Sequence, residues 1–337
     1  MWWISKPEEV EAKITEWINR HQDLLRLEFV TQFTGHRVYA LTVTDKSIRD
    51  ESKVRCIFAV PHAHEPAGTA ASIDVINQLL TGVNLRGEPT DIDREEALRR
   101  LILTFIPVAN PYGMERSPER WWDGTKYTNE EFLNIAFGVD QDGKRFHRYG
   151  RWCSLEHKPM RIGIVYEKVW HHTYVEPNRD WSSSYFKLLF KLLPEHKTNL
   201  LLDLHQTEFE RSPYNAEVIL PTLQDELPRE IRRYNEEWGV KLVDALEKAG
   251  GMCKPEPRPL GYIGEQREYF VKYSGFIMRS IPMLTVEVQN NNERTPPRRQ
   301  LELHEAVIKA TIDRLTEDGE KPPSRPFKDP QTIDYQV

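Results

Sequence analysis

The chain has 337 residues, 39% hydrophobic and 29% charged with a net charge of −6, enough for one large core and too acidic for the basic face that a nucleic-acid partner requires. No apolar run approaches the roughly 20 residues of a membrane helix, and the amino end turns acidic at Glu8 and Glu9, too early for a secretory leader. Three widely spaced cysteines, Cys56, Cys153 and Cys253, suit neither a disulfide framework nor a zinc knot and favour a reducing, cytoplasmic setting.

In chain order, the spacing of apolar residues predicts a helix over 7–24, strands over 25–33 and 37–43, and a buried strand over 54–60. The turn leaving that last strand, Val60-Pro61-His62-Ala63-His64-Glu65, stands where α/β proteins place ligands. There His62 and Glu65 can aim an imidazole nitrogen and a carboxylate at one ion, at roughly 2.0 to 2.2 Å for zinc. Two polar loop residues are the plainer alternative, since the same spacing recurs at His205 and Glu208.

A helix over 67–80 and a strand over 101–107 follow, then the turn Pro107-Val108-Ala109-Asn110-Pro111-Tyr112-Gly113 and a polar stretch holding Arg116 and Arg120. Between Arg120 and Asn178 lie 57 residues, with a helix over 129–137; such an insert borders a cleft or decorates the surface. Beyond Glu176-Pro177-Asn178-Arg179-Asp180-Trp181 come a helix over 182–193, a strand over 199–204 that ends in His205, and a helix over 227–249. The apolar strand over 283–288 contains Glu287, and a carboxylate in that setting must be paired, near a metal or at the strand's open end. Thr295 and two prolines open a helix to about 315, and a proline- and charge-rich tail closes the chain. No linker or repeat divides it, so a single α/β domain with a mixed sheet is expected.

Taken in this order the segments resemble the M14 family of zinc carboxypeptidases. Gly35-His36-Arg37-Val38-Tyr39-Ala40-Leu41 resembles the family's early hairpin, and Pro107 to Gly113 its Pro-x-x-Asn-Pro-Asp-Gly turn, with Tyr112 in place of Asp. Glu176 to Trp181 resembles its Asp-x-Asn-Arg-x-Trp segment, with Glu176 as the acid. The resemblance implies a mixed central β-sheet flanked by helices on both faces, of the phosphorylase/hydrolase-like kind. It places a catalytic domain over 1–318, with an insertion at about 121–175, and an extended tail over 319–337.

One Zn2+ per chain would be held by His62, Glu65 and His205, with Glu287 as general base on the zinc-activated water. Asn178 and Arg179 would grip the substrate's terminal carboxylate, which suits a guanidinium fork. Arg120 would stabilise the oxyanion, with Arg116 as competitor. Glu176 would accept the second ring N–H of His62, while Asp203 is either another outer acid or a strand residue. His64 stands where an arginine touches substrate in peptide-digesting relatives, or is a solvated loop histidine. Tyr262 is best placed to cover the substrate, in competition with Tyr269 and Tyr273. The implied activity is hydrolysis of the C-terminal peptide bond of peptides with a free carboxylate. The alternative is an amide hydrolase of the same lineage acting on N-acyl amino acids or γ-linked, cell-wall-type peptides. A metal-binding module without catalysis is a third reading, against which Glu287 counts.

Overall fold

A computed structural model describes residues 2–146, 148–317 and 321–327. The strands β1 (Leu25–Thr31), β2 (Arg37–Val43), β3 (Val54–Ala59), β4 (Leu101–Ile106), β5 (Leu200–Thr207), β6 (Ala216–Ile219) and β7 (Met283–Gln289) form one sheet. Their order is β1-β2-β4-β3-β5-β7-β6, with parallel pairing from β4 through β3 and β5 to β7 and antiparallel pairing at both margins. The central strands are near-continuous runs of Val, Ile, Leu and Phe, as burial on both faces demands.

The principal helices are α1 (Pro7–Arg20), α2 (Pro66–Thr81), α3 (Arg94–Arg100), α4 (Asn129–Phe137), α5 (Ser184–Glu195), α6 (Arg229–Lys248), α7 (Gly264–Met278) and α8 (Pro297–Glu317). One face of the sheet packs on α1, α2, α6 and α8, through Val10, Ile14 and Trp17 at helical spacing, Trp238, Leu242, Val307 and Ile308. The other face packs on α5 and α7, through Phe186, Leu189, Phe276 and Ile277. The sheet is thus mixed and covered by helices on both sides. At Gly68, in the first turn of α2, a Cβ would lie 3.0 Å from a Val60 methyl and 3.1 Å from the Leu204 Cβ. Glycine there lets α2 start close against β3 and β5, which sets the height of the preceding His62–Glu65 turn.

Several boundaries differ from the sequence expectation. The first helix stops at Arg20, and β5 runs on to Thr207, so His205 lies inside a strand and not beyond its end. Two elements carry no clear sequence signal: β6 has only four residues, and α7 begins at Gly264, with neither an amphipathic stripe nor a side-chain cap. Within the insertion, α4 occupies residues 129–137 as expected, opened by a Thr128/Glu131 capping box and closed at Gly138 with φ 74°. Residues 321–327 run over the body without helix or strand, the Arg325 amide donating to the Ser280 carbonyl at 2.7 Å. The remainder of the expected tail, 319–320 and 328–337, lies outside the described residues. No helix among the described residues is long and apolar enough to cross a membrane.

Candidate metal centre and active site

Three segments meet at the carboxyl ends of the parallel strands. His62 and Glu65 occupy the turn from β3 into α2, and His205 stands on β5 opposite Glu287 on β7. Glu65 Oε1 lies 2.9 Å from His62 Nδ1, its Oε2 lies 2.9 Å from His205 Nδ1, and the two ring nitrogens are 3.1 Å apart. Three buried donor groups at such mutual distances fit around one cation of zinc's size. Burial works to raise the Glu65 carboxyl, and the imidazoles of His62 and His205 outweigh it, so that it stays well below the usual carboxylate range.

His64 is buried here too, its Nε2 3.2 Å from Glu65 Oε1, with its ring edge-on to Phe137 of α4. It forms a compact donor group with His62 and Glu65, and is no solvated loop histidine. His205 remains the better third donor, since its Nδ1 is close to both other ligand atoms.

Behind this cluster Glu176, fully buried, acts as a hub. Its carboxylate is 2.9 Å from His62 Nε2 and 3.0 Å from Arg179 Nε, and it takes a two-pronged grip from Arg148 at 2.9 and 2.6 Å. Burial alone would raise this carboxyl, yet Arg148, Arg179 and His62 hold it well below its ordinary range. Asn178 Oδ1 is 3.0 Å from the same His62 nitrogen. Arg179 leaves the short turn Pro177–Arg179 and lies between the rings of Tyr149 and Phe270, at 4.9 and 5.2 Å.

Most of these groups, though not the buried Glu176, border one cavity. His62, Glu65, Asn178, Arg179, His205 and Glu287 line it. Burial pushes the Glu287 carboxyl up, His205 pulls it back in part, and Glu65 pushes it further. Its Oε2 has no hydrogen-bond partner among the described residues. Of the three tyrosines weighed from sequence, Tyr262 lines the cavity and stacks on Phe270 at 4.8 Å. Tyr269 instead donates to the Arg179 carbonyl, and Tyr273 packs on Trp181.

The expectation for Arg120 requires correction. It is not among the cavity's lining residues; its guanidinium is spent on Glu9 at 2.7 Å and on the Trp3 carbonyl. Arg116, the competitor, lies over Tyr112 and donates to the Gly163 carbonyl at 2.6 Å, also away from the cavity. Besides Arg179, the arginine that lines it is Arg148, from the insertion, seated over Phe137 at 4.3 Å. No periodicity marks Arg148 among its basic neighbours Lys144, Arg145 and Arg151. The only hint in the sequence is that a buried Glu176 needs a cationic partner.

The insertion is docked by the Asn110–Gly113 turn. Asn110 Nδ2 donates to the Val165 carbonyl at 2.9 Å, and a Cβ on Gly113 would fall 2.0 Å from the Ile164 carbonyl.

A sequence model of the family described as Zinc carboxypeptidase, peptidase M14, matches residues 10–205. No curated protein matches the sequence. Among solved structures the chain is similar in fold to the carboxypeptidase A of Helicoverpa armigera, with TM-score 0.60, 16% identity, and coverage of 94% of this chain and 75% of that one. It is likewise similar to a metallo-carboxypeptidase of Burkholderia cenocepacia, at 0.56 and 14%, covering 91% and 68%. A third is the bovine thrombin-activatable fibrinolysis inhibitor solved with a tick carboxypeptidase inhibitor, at 0.57 and 12%, covering 94% and 98%. With the family match spanning more than half of its length, the chain belongs to the M14 zinc carboxypeptidases and is a hydrolase of the metallocarboxypeptidase class.

Proposed function

We propose that the protein is a zinc-dependent carboxypeptidase that releases the last residue of peptides ending in a free carboxylate. The observation that carries this reading is that one cavity holds both the His62, Glu65 and His205 donors and a guanidinium, Arg179, one residue from Asn178. Zinc bound by the three donors would polarise the scissile carbonyl and acidify water. Glu287 faces the same space and would take the proton of the attacking water and return it to the leaving amine. Arg179 and Asn178 would hold the chain end. Arg148 would meet the negative charge that develops on the carbonyl oxygen, with Glu176 fixing its direction. Tyr262 would cover the bound residue. Three unpaired cysteines support a cytoplasmic setting.

The test is hydrolysis of a peptide set with free or amidated ends, with and without chelator, beside metal analysis. The expected outcome is one zinc per chain, cleavage of free ends only, loss of cleavage in chelator, and inactive Glu287→Gln protein that still carries its zinc. Equal cleavage of amidated ends would remove Asn178 and Arg179 from this role. Faster release from N-acyl amino acids or γ-linked peptides would favour the amide-hydrolase reading.

A further inference from the structure

Helix α2 begins at Pro66, and Glu65 stands at its N-cap. An N-cap side chain ordinarily accepts from the second or third amide of the first turn, which has no partner within the helix. Glu65 makes no such bond; its carboxylate is turned toward His62 and His205. The second amide of α2, that of Ala67, donates instead to Gln206 Oε1 at 2.9 Å. The cap of α2 is therefore supplied from β5, by the residue that follows His205.

Successive side chains on a strand point to opposite faces. With His205 opposite Glu287 in the ladder, Gln206 falls with Leu202 and Leu204 on the face that α2 and α8 cover, where it is buried. Its Nε2 donates to Gln300 Oε1 of α8 at 2.9 Å, and Gln300 Nε2 donates to the carbonyls of Trp122 and Thr295 at 2.7 and 2.8 Å. With the Gln300 amino group committed to two acceptors, only its oxygen is left to face Gln206. The Gln206 amide then has one orientation, oxygen toward α2. One turn further along α8, His304 Nε2 lies 3.1 Å from the His205 carbonyl. A carboxylate beside an uncapped helix start is drawn to its amides. Gln206 removes that competition and ties the turn that carries His62 and Glu65 to the strand that carries His205.

We propose that Gln206 is a positioning residue of the metal centre: it caps α2 in place of Glu65, freeing that carboxylate for the cation, and fixes the separation of the turn from β5. The inference rests on the zinc reading of His62, Glu65 and His205.

Gln206→Met keeps the length of the side chain and loses both hydrogen bonds. Chelator competition should give a zinc Kd roughly 10- to 100-fold weaker than that of the wild type, the usual effect of removing a group that orients a ligand. The visible spectrum of the cobalt-substituted variant should shift, since it reports how the donors are arranged around the ion. The control is Thr311→Val, also on α8, which removes a buried bond from the Trp238 indole at 3.1 Å; neither residue lines the cavity. It should lower the urea stability of the metal-free protein as a lost buried hydrogen bond does, and leave the zinc Kd within about threefold and the cobalt spectrum unchanged. An unchanged Kd and spectrum in Gln206→Met overturn the proposal, as does equal weakening by Thr311→Val, which would assign the effect to stability alone. Gln300→Met leaves the Gln206 amide free to turn over and should weaken zinc roughly three- to tenfold, about the worth of one hydrogen bond. Where Gln206→Met does not fold, an unchanged Kd in Gln300→Met overturns the proposal. A wild-type protein without tight zinc binding would reject the zinc reading itself, whereas equally tight binding by all variants rejects this inference alone.

Discussion

At the scale of single residues, the division of labour between two arginines is the sharpest outcome of the geometry. Arg148 faces the cavity and Arg120 is engaged with Glu9 and Trp3. Arg148→Met is expected to lower kcat by about 10² to 10³, the usual cost of deleting a preorganised donor at an oxyanion. Arg120→Met should stay within about threefold, as a partly exposed residue away from the chemistry. Steady-state kinetics on one free-ended peptide checks both, and the reverse ranking would restore Arg120. His62, Glu65, His205 and Glu287 were legible in the sequence because each is anchored to an apolar strand, whose end or interior fixes where the side chain points. Arg148 has no such anchor. It sits in the insertion, and only its three-dimensional pairing with Glu176 distinguishes it from nearby cations.

At the scale of elements, the insertion and α5 are joined by a buried acid. Glu167, on the insertion strand Glu167–Trp170, accepts from the Ser184 amide at 2.9 and 3.1 Å and from its hydroxyl at 2.6 Å, at the amino end of α5. Burial pushes its carboxyl up to about 7, with the Ser184 bonds holding it back. A carboxyl raised on folding stabilises the protein in full below its unfolded value, and that contribution is lost as pH rises to the folded value. The window here runs from the ordinary 4.5 to about 7. Glu167→Gln removes the titration while keeping the shape. The stability of the variant relative to wild type should therefore rise across this window, by on the order of 3 kcal/mol, and level off above it. Urea unfolding at pH 5, 6, 7 and 8 would read it; a constant difference would show that Glu167 titrates normally. The central strands and the amphipathic helices could be read from apolar periodicity. By contrast, β6 is too short to show a period, and α7 owes its helical form to burial of Phe276 and Ile277 against the sheet.

At the scale of the whole molecule, the three proposed zinc donors come from the turn after β3 and from β5, separated by well over a hundred residues of sequence. Binding at such a site stabilises only the folded chain. At a thousandfold excess of zinc over its Kd the gain is about 4 kcal/mol. Calorimetry should show a melting temperature several degrees higher with zinc than with chelator, and His205→Ala should abolish the increment. An undiminished increment in that variant would place the ion elsewhere.

The Glu176 hub has one more consequence. A single anion contacts the imidazole proposed as a ligand, the guanidinium proposed for the oxyanion and the guanidinium proposed for the chain end. On the proposed reading, affinity for the cation, turnover and recognition of the terminus are mechanically yoked, and no one of them can be retuned at that position while the other two stay as they are.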